Sequence, residues 1–384
     1  MESPLIWAQI DLDAIAANVH ALKQLIPEST RFMAVVKADA YGHGSVAVAQ
    51  KALAAGAHCL GVARLHEAET LRNAGIEAPI LIFGYTWPEQ ARLLSGLDLA
   101  VTVYTPDMAA RLSREASRAG VCVRAHLKVD TGMGRVGLLP DSRRVAGPSR
   151  GSALDEVRTI LELPGLDVEG IYTHFAAADS PDKDFFNYQL RIFEKFLDDL
   201  ANCGMTFRIR HAANSAGIIY HPDSHFDMVR AGISLYGLYP SPEVDRSRVV
   251  LVPAMTLKSV ITSVKSVPQG FPVSYGMTWR APRETRIASV PVGYADGFSR
   301  SHSSRGSMLV RGVAAPIAGR VCMDQTLIDV GHIPDAEPGD EVVIIGSQGA
   351  AVISADDLAL QSGTINYEVV SALTARVSRI YPKP

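Results

Sequence analysis

The sequence predicts an α/β protein: a (β/α)8 TIM-type barrel followed by a mainly antiparallel β-domain. At 384 residues the chain exceeds one ordinary domain. It suits a barrel of roughly 250 residues plus a smaller unit. Between residues 12 and 240 short apolar runs alternate with amphipathic helical patterns, and eight such units imply a closed parallel barrel. After Pro240 the texture changes to β-rich runs separated by glycine and proline turns.

Residues 1–11 are expected to form a strand that packs with the β-domain, 12–245 the barrel, and 246–384 the β-rich domain. The barrel strands are expected at Phe32–Val36, Cys59–Ala63, Ile80–Phe83, Leu99–Val103, Val123–Val129, Val168–Thr173, Phe207–His211 and Phe226–Arg230. They are short, apolar and partly β-branched, as strands buried on both faces should be. Helical patterns fill the gaps. LHEAETLRNAG ends on a capping glycine, and PDMAARLSREASRAG opens on proline and closes the same way. DFFNYQLRIFEKFLDDLANCG is the longest and most clearly amphipathic. LPDSRRVAGPSRGS, residues 139–152, reads as a surface loop without a role of its own. In the second half MTLKSVITSVKSV, RIASVPVGYADG, SMLVRGVAAPIAG, TLIDV and DEVVIIG are strand-like, with a short helix at SADDLALQSG.

Composition narrows the class. Apolar residues make up 47% and charged residues 20%, which is ordinary for a globular protein, and a net charge of −3 argues against nucleic acid or acidic membranes as partners. No basic residues precede an apolar run in MESPLIWAQIDLDAIAANV, and no apolar stretch reaches about 18 residues. Cys59, Cys122, Cys203 and Cys322 are widely spaced, which disfavours a metal site or a disulfide framework. A cytoplasmic location and no metal are expected.

The chemistry-bearing residues fall at strand ends, where barrels place their active sites. FMAVVKADAYGHG sets Lys37 at the end of the first barrel strand. A lysine there is costly to bury as a cation, so its pKa falls and it can serve as a Schiff-base nucleophile. LKVDTGMGRVG places Lys128, Asp130 and Arg135 on the same rim, and YTHFA places His174. RHAANSAG supplies Asn214 and Ser215, and DMVRAGISLYG supplies Arg230, Gly232 and Ile233. These last two loops follow strands 7 and 8, a common phosphate position, and their glycines leave backbone N–H groups free to cradle an anion.

Nine motifs in order, VVKADAYGHG, KVDTGMGRVG, HFAAAD, HAANSAG, VRAGISLYG, VSYG, VGYADG, GRVCMDQ and INYEV, cover essentially the whole chain. Together they resemble the alanine racemase family, pyridoxal-phosphate enzymes with a barrel and a β-domain. The resemblance implies that Lys37 carries the cofactor and acts as one base. Tyr275 would be the second base, on the opposite face. A tyrosine of ordinary pKa about 10 is a poor base at neutral pH and needs a neighbour, for which His174 is the family's candidate. Arg230 would face the pyridine nitrogen, to which an arginine can only donate, with His174 orienting it. Tyr41, Ser215, Gly232, Ile233 and Tyr367 would form the phosphate site. Arg135 would meet the cofactor's phenolic oxygen and the substrate carboxylate, and Lys128 matches a position that is often carbamylated. The backbone N–H of Met323 would bind the substrate carboxylate, with Asp324 as support, and Tyr294 and Tyr367 would narrow the entrance. The family places Tyr275 and Met323 in the partner's site, which implies a head-to-tail homodimer. The chain departs from the family in its longer 139–152 loop and in Ser378, where proline is expected.

The reading that follows is interconversion of L- and D-alanine by two bases, supplying D-alanine for peptidoglycan. A broad-specificity or serine racemase is the alternative. A non-catalytic cofactor-binding barrel should lack the second base. A decarboxylase relative should carry an acid at the pyridine nitrogen, where Arg230 stands.

Overall fold

The computed structural model describes residues 4–143 and 151–382. The chain divides into two compact units. The first comprises Ile15–Ala38 and Ser45–Val252; the second comprises the segment ending at Ala14, Asp39–Gly44 and the chain from Pro253.

The N-terminal strand is β1 (Ile6–Ile10). The first unit contains a closed eight-stranded barrel: β2 (Arg31–Val35), β3 (Cys59–Val62), β4 (Ile80–Ile82), β5 (Leu99–Val103), β6 (Val123–Lys128), β7 (Leu166–Tyr172), β8 (Ile209–His211) and β9 (Met228–Ala231). Neighbours pair in parallel, and β2 closes the ring against β9 through Arg31↔Met228 to Ala34↔Ala231. Every residue of β3, β4, β5 and β9 is buried, which is why β3 and β4 read as unbroken apolar runs and β5 and β9 are broken only by Thr102 and Arg230. The helices begin and end where their punctuation puts them. Thr105 Oγ1 accepts from the Met108 N–H at 3.2 Å, Pro106 opens Pro106–Ala119, and Gly120 closes it at φ 66°. Asp184–Asn202 buries Phe186, Phe193, Phe196 and Leu200 along one stripe.

In the second unit β1 pairs antiparallel with β10 (Met255–Val260) and parallel with Ser378–Ile380. The last strand starts at Ser378 itself, opposite Trp7. MTLKSVITSVKSV splits: β10 joins this seven-stranded sheet, whereas Ser263–Val267 enters a three-stranded sheet with Thr285–Val290 and Thr326–Asp329. Pro272–Val273 and Trp279–Arg280 form a short ladder around the segment that holds Tyr275. Val267, Val273, Ala281, Ile287 and Ala318 pack beneath it. No helix among the described residues is long and apolar enough to cross a membrane. Of the 139–152 loop, residues 144–150 lie outside the described residues; Asp141–Arg143 form a 3-10 turn.

Helical turn Lys37–Tyr41 is left-handed, with φ between 51° and 53° at Ala38, Asp39, Ala40 and Tyr41. Side-chain-bearing residues pay roughly 1–2 kcal/mol each for this conformation. Gly42 (φ 81°) and Gly44 (φ 93°) then follow where a Cβ would collide with the Val370 carbonyl and the Tyr381 hydroxyl.

Candidate active site

Lys37 leaves the C-terminal end of β2 and is half-buried. Burial lowers its ammonium pKa and Arg135 lowers it further, while Glu67 opposes them. Glu67 also fixes the loop. Its Oε1 accepts from the Ala38 N–H at 2.7 Å, and its Oε2 accepts from Ala63 and Arg64 at 2.7 and 3.0 Å.

Lys128 ends β6 and is 2% exposed. Its Nζ donates to the Val129 carbonyl at 2.6 Å and lies 5.5 Å above the Tyr172 ring. Burial pulls its pKa down to about 7; Asp130 resists this, and Arg230 and Arg135 add to it. Asp130 does not bridge to the lysine by a hydrogen bond. Its carboxylate instead accepts from the backbone of Gly132, Gly134 and Arg135 at 2.9, 3.1 and 3.1 Å, which shapes the TGMGR loop.

Arg230, on β9, is buried and almost fully engaged. Nη1 donates to His211 Nδ1 at 2.8 Å, and Nη2 donates to the Thr173 and Ala212 carbonyls at 2.9 and 2.8 Å. Nη2 also lies 3.3 Å from His174 Nδ1. Among the described residues its Nε–H meets no acceptor. Burial lowers its pKa to about 10, so it stays cationic at neutral pH. His174 has a pKa far below its ordinary value through burial and then through Arg230, Lys128, Arg135 and Lys37. One imidazole thus feels all four cations, which places them in one region of the barrel mouth. Gln189 holds that loop, donating to the His174 carbonyl and to Thr131 Oγ1 at 3.3 Å each.

At the loops after β8 and β9, Asn214 caps Ser215–Tyr220 by accepting from the Gly217 N–H at 3.0 Å. Its side chain serves the helix, which leaves the first-turn N–H groups as donors. Ser215 Oγ accepts from the Gly232 and Ser234 N–H groups at 3.0 and 3.3 Å, and the buried hydroxyl of Ser234 has no partner among the described residues. Ile233 opens the 3-10 turn Ile233–Tyr236 directly after Gly232.

The remaining predicted residues belong to the second unit. Tyr275 is 69% and Met323 53% exposed, with Tyr294 exposed as well. Three separate segments bring them together. Ser274 Oγ donates to the Arg320 carbonyl at 2.6 Å, and the Tyr294 and Ala295 N–H groups donate to the Cys322 and Met323 carbonyls at 3.1 and 3.0 Å. Ser274 and Met277 flank Tyr275 at φ 62° and 51°, so this loop is held under strain. Arg376 ties Asp324 (2.8 Å) to the buried Asp296 (3.1 Å), which makes Asp324 a support. Tyr41 is buried and its ring centroid lies 6.3 Å from that of Tyr367.

Sequence reading passes over Glu67, Tyr172 and His211. Tyr172 stacks on His211 with centroids 4.6 Å apart and planes 10° from parallel, and its hydroxyl meets Thr102 Oγ1 at 2.9 Å. The usable signal is position: Tyr172 is the last residue of β7, two residues before His174.

Two family descriptions match: alanine racemase N-terminal domain over residues 10–240, and alanine racemase C-terminal domain over residues 254–381. An alanine racemase of Desulfosudis oleivorans is 52% identical over 98% of this chain and 96% of its own length. The alanine racemase structure from Clostridium difficile 630 superposes with TM-score 0.92 at 37% identity, covering 100% of this chain and 97% of that one. A histidine racemase from Leuconostoc mesenteroides superposes with TM-score 0.87 at 27% identity over 100% of this chain and 99% of that one. The chain belongs to the alanine racemase family.

Proposed function

We propose that this chain is a pyridoxal-phosphate-dependent alanine racemase, with Lys37 and Tyr275 as its two bases. The observation that carries the reading is the set of four cations around His174, with Glu67 acting on Lys37 and Asp130 on Lys128. That donor set fits a ligand rich in anionic and basic acceptors. The Ser234 hydroxyl and the Ser215 hydroxyl, which accepts from Gly232 and Ser234 and so can donate its own hydrogen outward, fit a phosphate beside Ile233. Tyr41 and Tyr367 would border it. The uncommitted Nε–H of Arg230 fits a ring nitrogen that accepts.

Bound pyridoxal phosphate supplies an electron sink for the pair left on the α-carbon when its proton departs. Lys37 would hold the cofactor, and its amine, of depressed pKa, would in its free form take or return the α-proton on one face. Arg230 would donate a hydrogen bond to the ring nitrogen and give up no proton, which would keep that sink weak and limit side reactions. Arg135 would hold the substrate carboxylate and the phenolic oxygen, and the Met323 N–H would add a second carboxylate contact. Tyr275 moves the proton on the other face, aided by His174. The exposure of Tyr275 and Met323 supports a head-to-tail homodimer in which they act in the site of a second copy. The product would be cytoplasmic D-alanine for peptidoglycan. Tyr294 and Tyr367 would restrict the entrance to small side chains.

A lysine with pKa about 7 reacts with carbon dioxide through its neutral amine. Lys128 is therefore expected to carry a carbamate that steadies Arg135. At pH 8 about nine in ten such amines are neutral, and at pH 6 about one in ten. Labelled bicarbonate should give a ¹³C carbamate resonance that grows from pH 6 to pH 8 and is absent in Lys128→Ala; equal signals in both proteins would refute the assignment.

The overall reading is tested by circular dichroism on L-alanine and L-serine in parallel. Alanine should invert much faster. Equal rates would keep the chemistry and replace the substrate range, and inversion of neither would overturn the reading.

A further inference from the structure

Beneath Arg230 the barrel interior is polar where barrels are usually filled by branched apolar side chains. His211 Nε2 lies 2.9 Å from His126 Nδ1, and both rings are buried. His126 Nε2 in turn faces Glu169 Oε1 at 3.5 Å. Glu169 also reaches Arg124 at 3.5 Å and Arg208 at 3.4 Å, and it borders a cavity of about 300 Å³ at the N-terminal mouth, together with Arg31, His58 and Met228. A polar chain therefore runs from the cofactor end of the barrel to its opposite end.

Two local features make room for it. Residue pairing between β6 and β7 shifts between Ala125 and His126, so that Glu169 is the extra residue of a bulge. Bulges re-aim side chains. Gly170 lies opposite His126, and a Cβ there would collide with the imidazole.

The direction of the chain follows from its arginine end. A guanidinium only donates, so His211 Nδ1 must accept from Arg230. Burial lowers the pKa of both histidines, so both are neutral. A neutral His211 then carries its hydrogen on Nε2 and donates to His126 Nδ1. His126 must carry its own hydrogen on Nε2, which points at Glu169. Burial pushes the Glu169 carboxyl up, but His126, Arg124 and Arg208 more than offset this, so it is an anion able to accept.

We propose that Glu169 and His126 are positioning residues that act through His211 on Arg230, holding both imidazoles in the Nε2–H tautomer. Glu169 makes that tautomer the favoured one at the far end. Without an acceptor there, His126 is free to carry its hydrogen on Nδ1. Two donors then meet at His211, and the reversal presents an N–H to the guanidinium and displaces it. The kinetic consequence rests on the proposed role of Arg230; the tautomer consequence does not.

Histidine-¹⁵N-labelled protein, without and with cofactor, tests this by long-range ¹H–¹⁵N correlation. Wild-type His126 and His211 should both be Nε2–H. Glu169→Leu should move at least one of them to Nδ1–H or to a mixture. It should also lower kcat about 10- to 100-fold, with KM for alanine changed less than about twofold, as for other orienting partners. Glu169→Gln keeps an acceptor oxygen and should restore both tautomers. Arg208→Ala breaks an ion pair on the same acid but leaves the acceptor, so its tautomers and kcat should match wild type. Unchanged tautomers in Glu169→Leu would overturn the proposal whatever the activity, as would an equal change in Arg208→Ala. Tautomers that follow residue 169 in a wild-type protein without racemase activity would support the relay and sink the racemase reading.

Discussion

Lys37→Ala should lower alanine inversion by at least about 10⁴-fold, because it removes the cofactor's covalent anchor and one base together. The holoenzyme absorbance band near roughly 420 nm should vanish with it. The loss should be one of chemistry and not of folding. Lys37 is half-buried, and its charged form is already disfavoured by burial and by Arg135, so little stability rests on it. Thermal unfolding of the apo variant should stay within a few degrees of wild type. A variant that keeps the band or inverts alanine at a comparable rate would move the anchor elsewhere, with Lys128 as the next candidate by burial and pKa.

Tyr275→Phe should cut inversion by about 10²- to 10⁴-fold from either enantiomer, the range that one positioned acid or base supplies. The ring is retained and the residue is 69% exposed in this chain, so folding stability should stay within about 0.5 kcal/mol. Deuterium exchange into D-alanine from the Lys37 face should survive. ¹H NMR of the α-position in D2O, started from each enantiomer, separates exchange from inversion. Loss of α-exchange from both enantiomers as large as the loss of inversion would make Tyr275 a binding residue and not a base.

The barrel was legible because its strands are buried on both faces. Leu99–Val103 shows this best: the apolar run and the observed strand coincide, and all five residues are buried. Once strand ends are located, Lys37, Lys128, His174 and Arg230 follow, since barrel chemistry sits there. What stayed hidden has physical causes. The left-handed turn at Ala38–Tyr41 contains no glycine, so nothing local announces it. Asn214 belongs to a residue type that both caps helices and binds ligands; here its oxygen is spent on Gly217. His126 and His211 sit within short strands and look like satisfied core histidines. The Glu169 bulge breaks the alternation that would have placed the acid beside them. The β10 run hid a change of sheet at Ile261–Thr262, because both halves keep strand character.

With two bases on opposite faces of the α-carbon, its proton exchanges with solvent at each inversion. L-alanine is followed with holoenzyme in D2O, by circular dichroism and by the α-proton signal together. The optical signal should decay to zero while the D-alanine formed carries deuterium at the α-position from the first turnovers. Inversion that keeps the original hydrogen would point to one base swinging across the plane and would contradict the assignment of Lys37 and Tyr275 to separate faces.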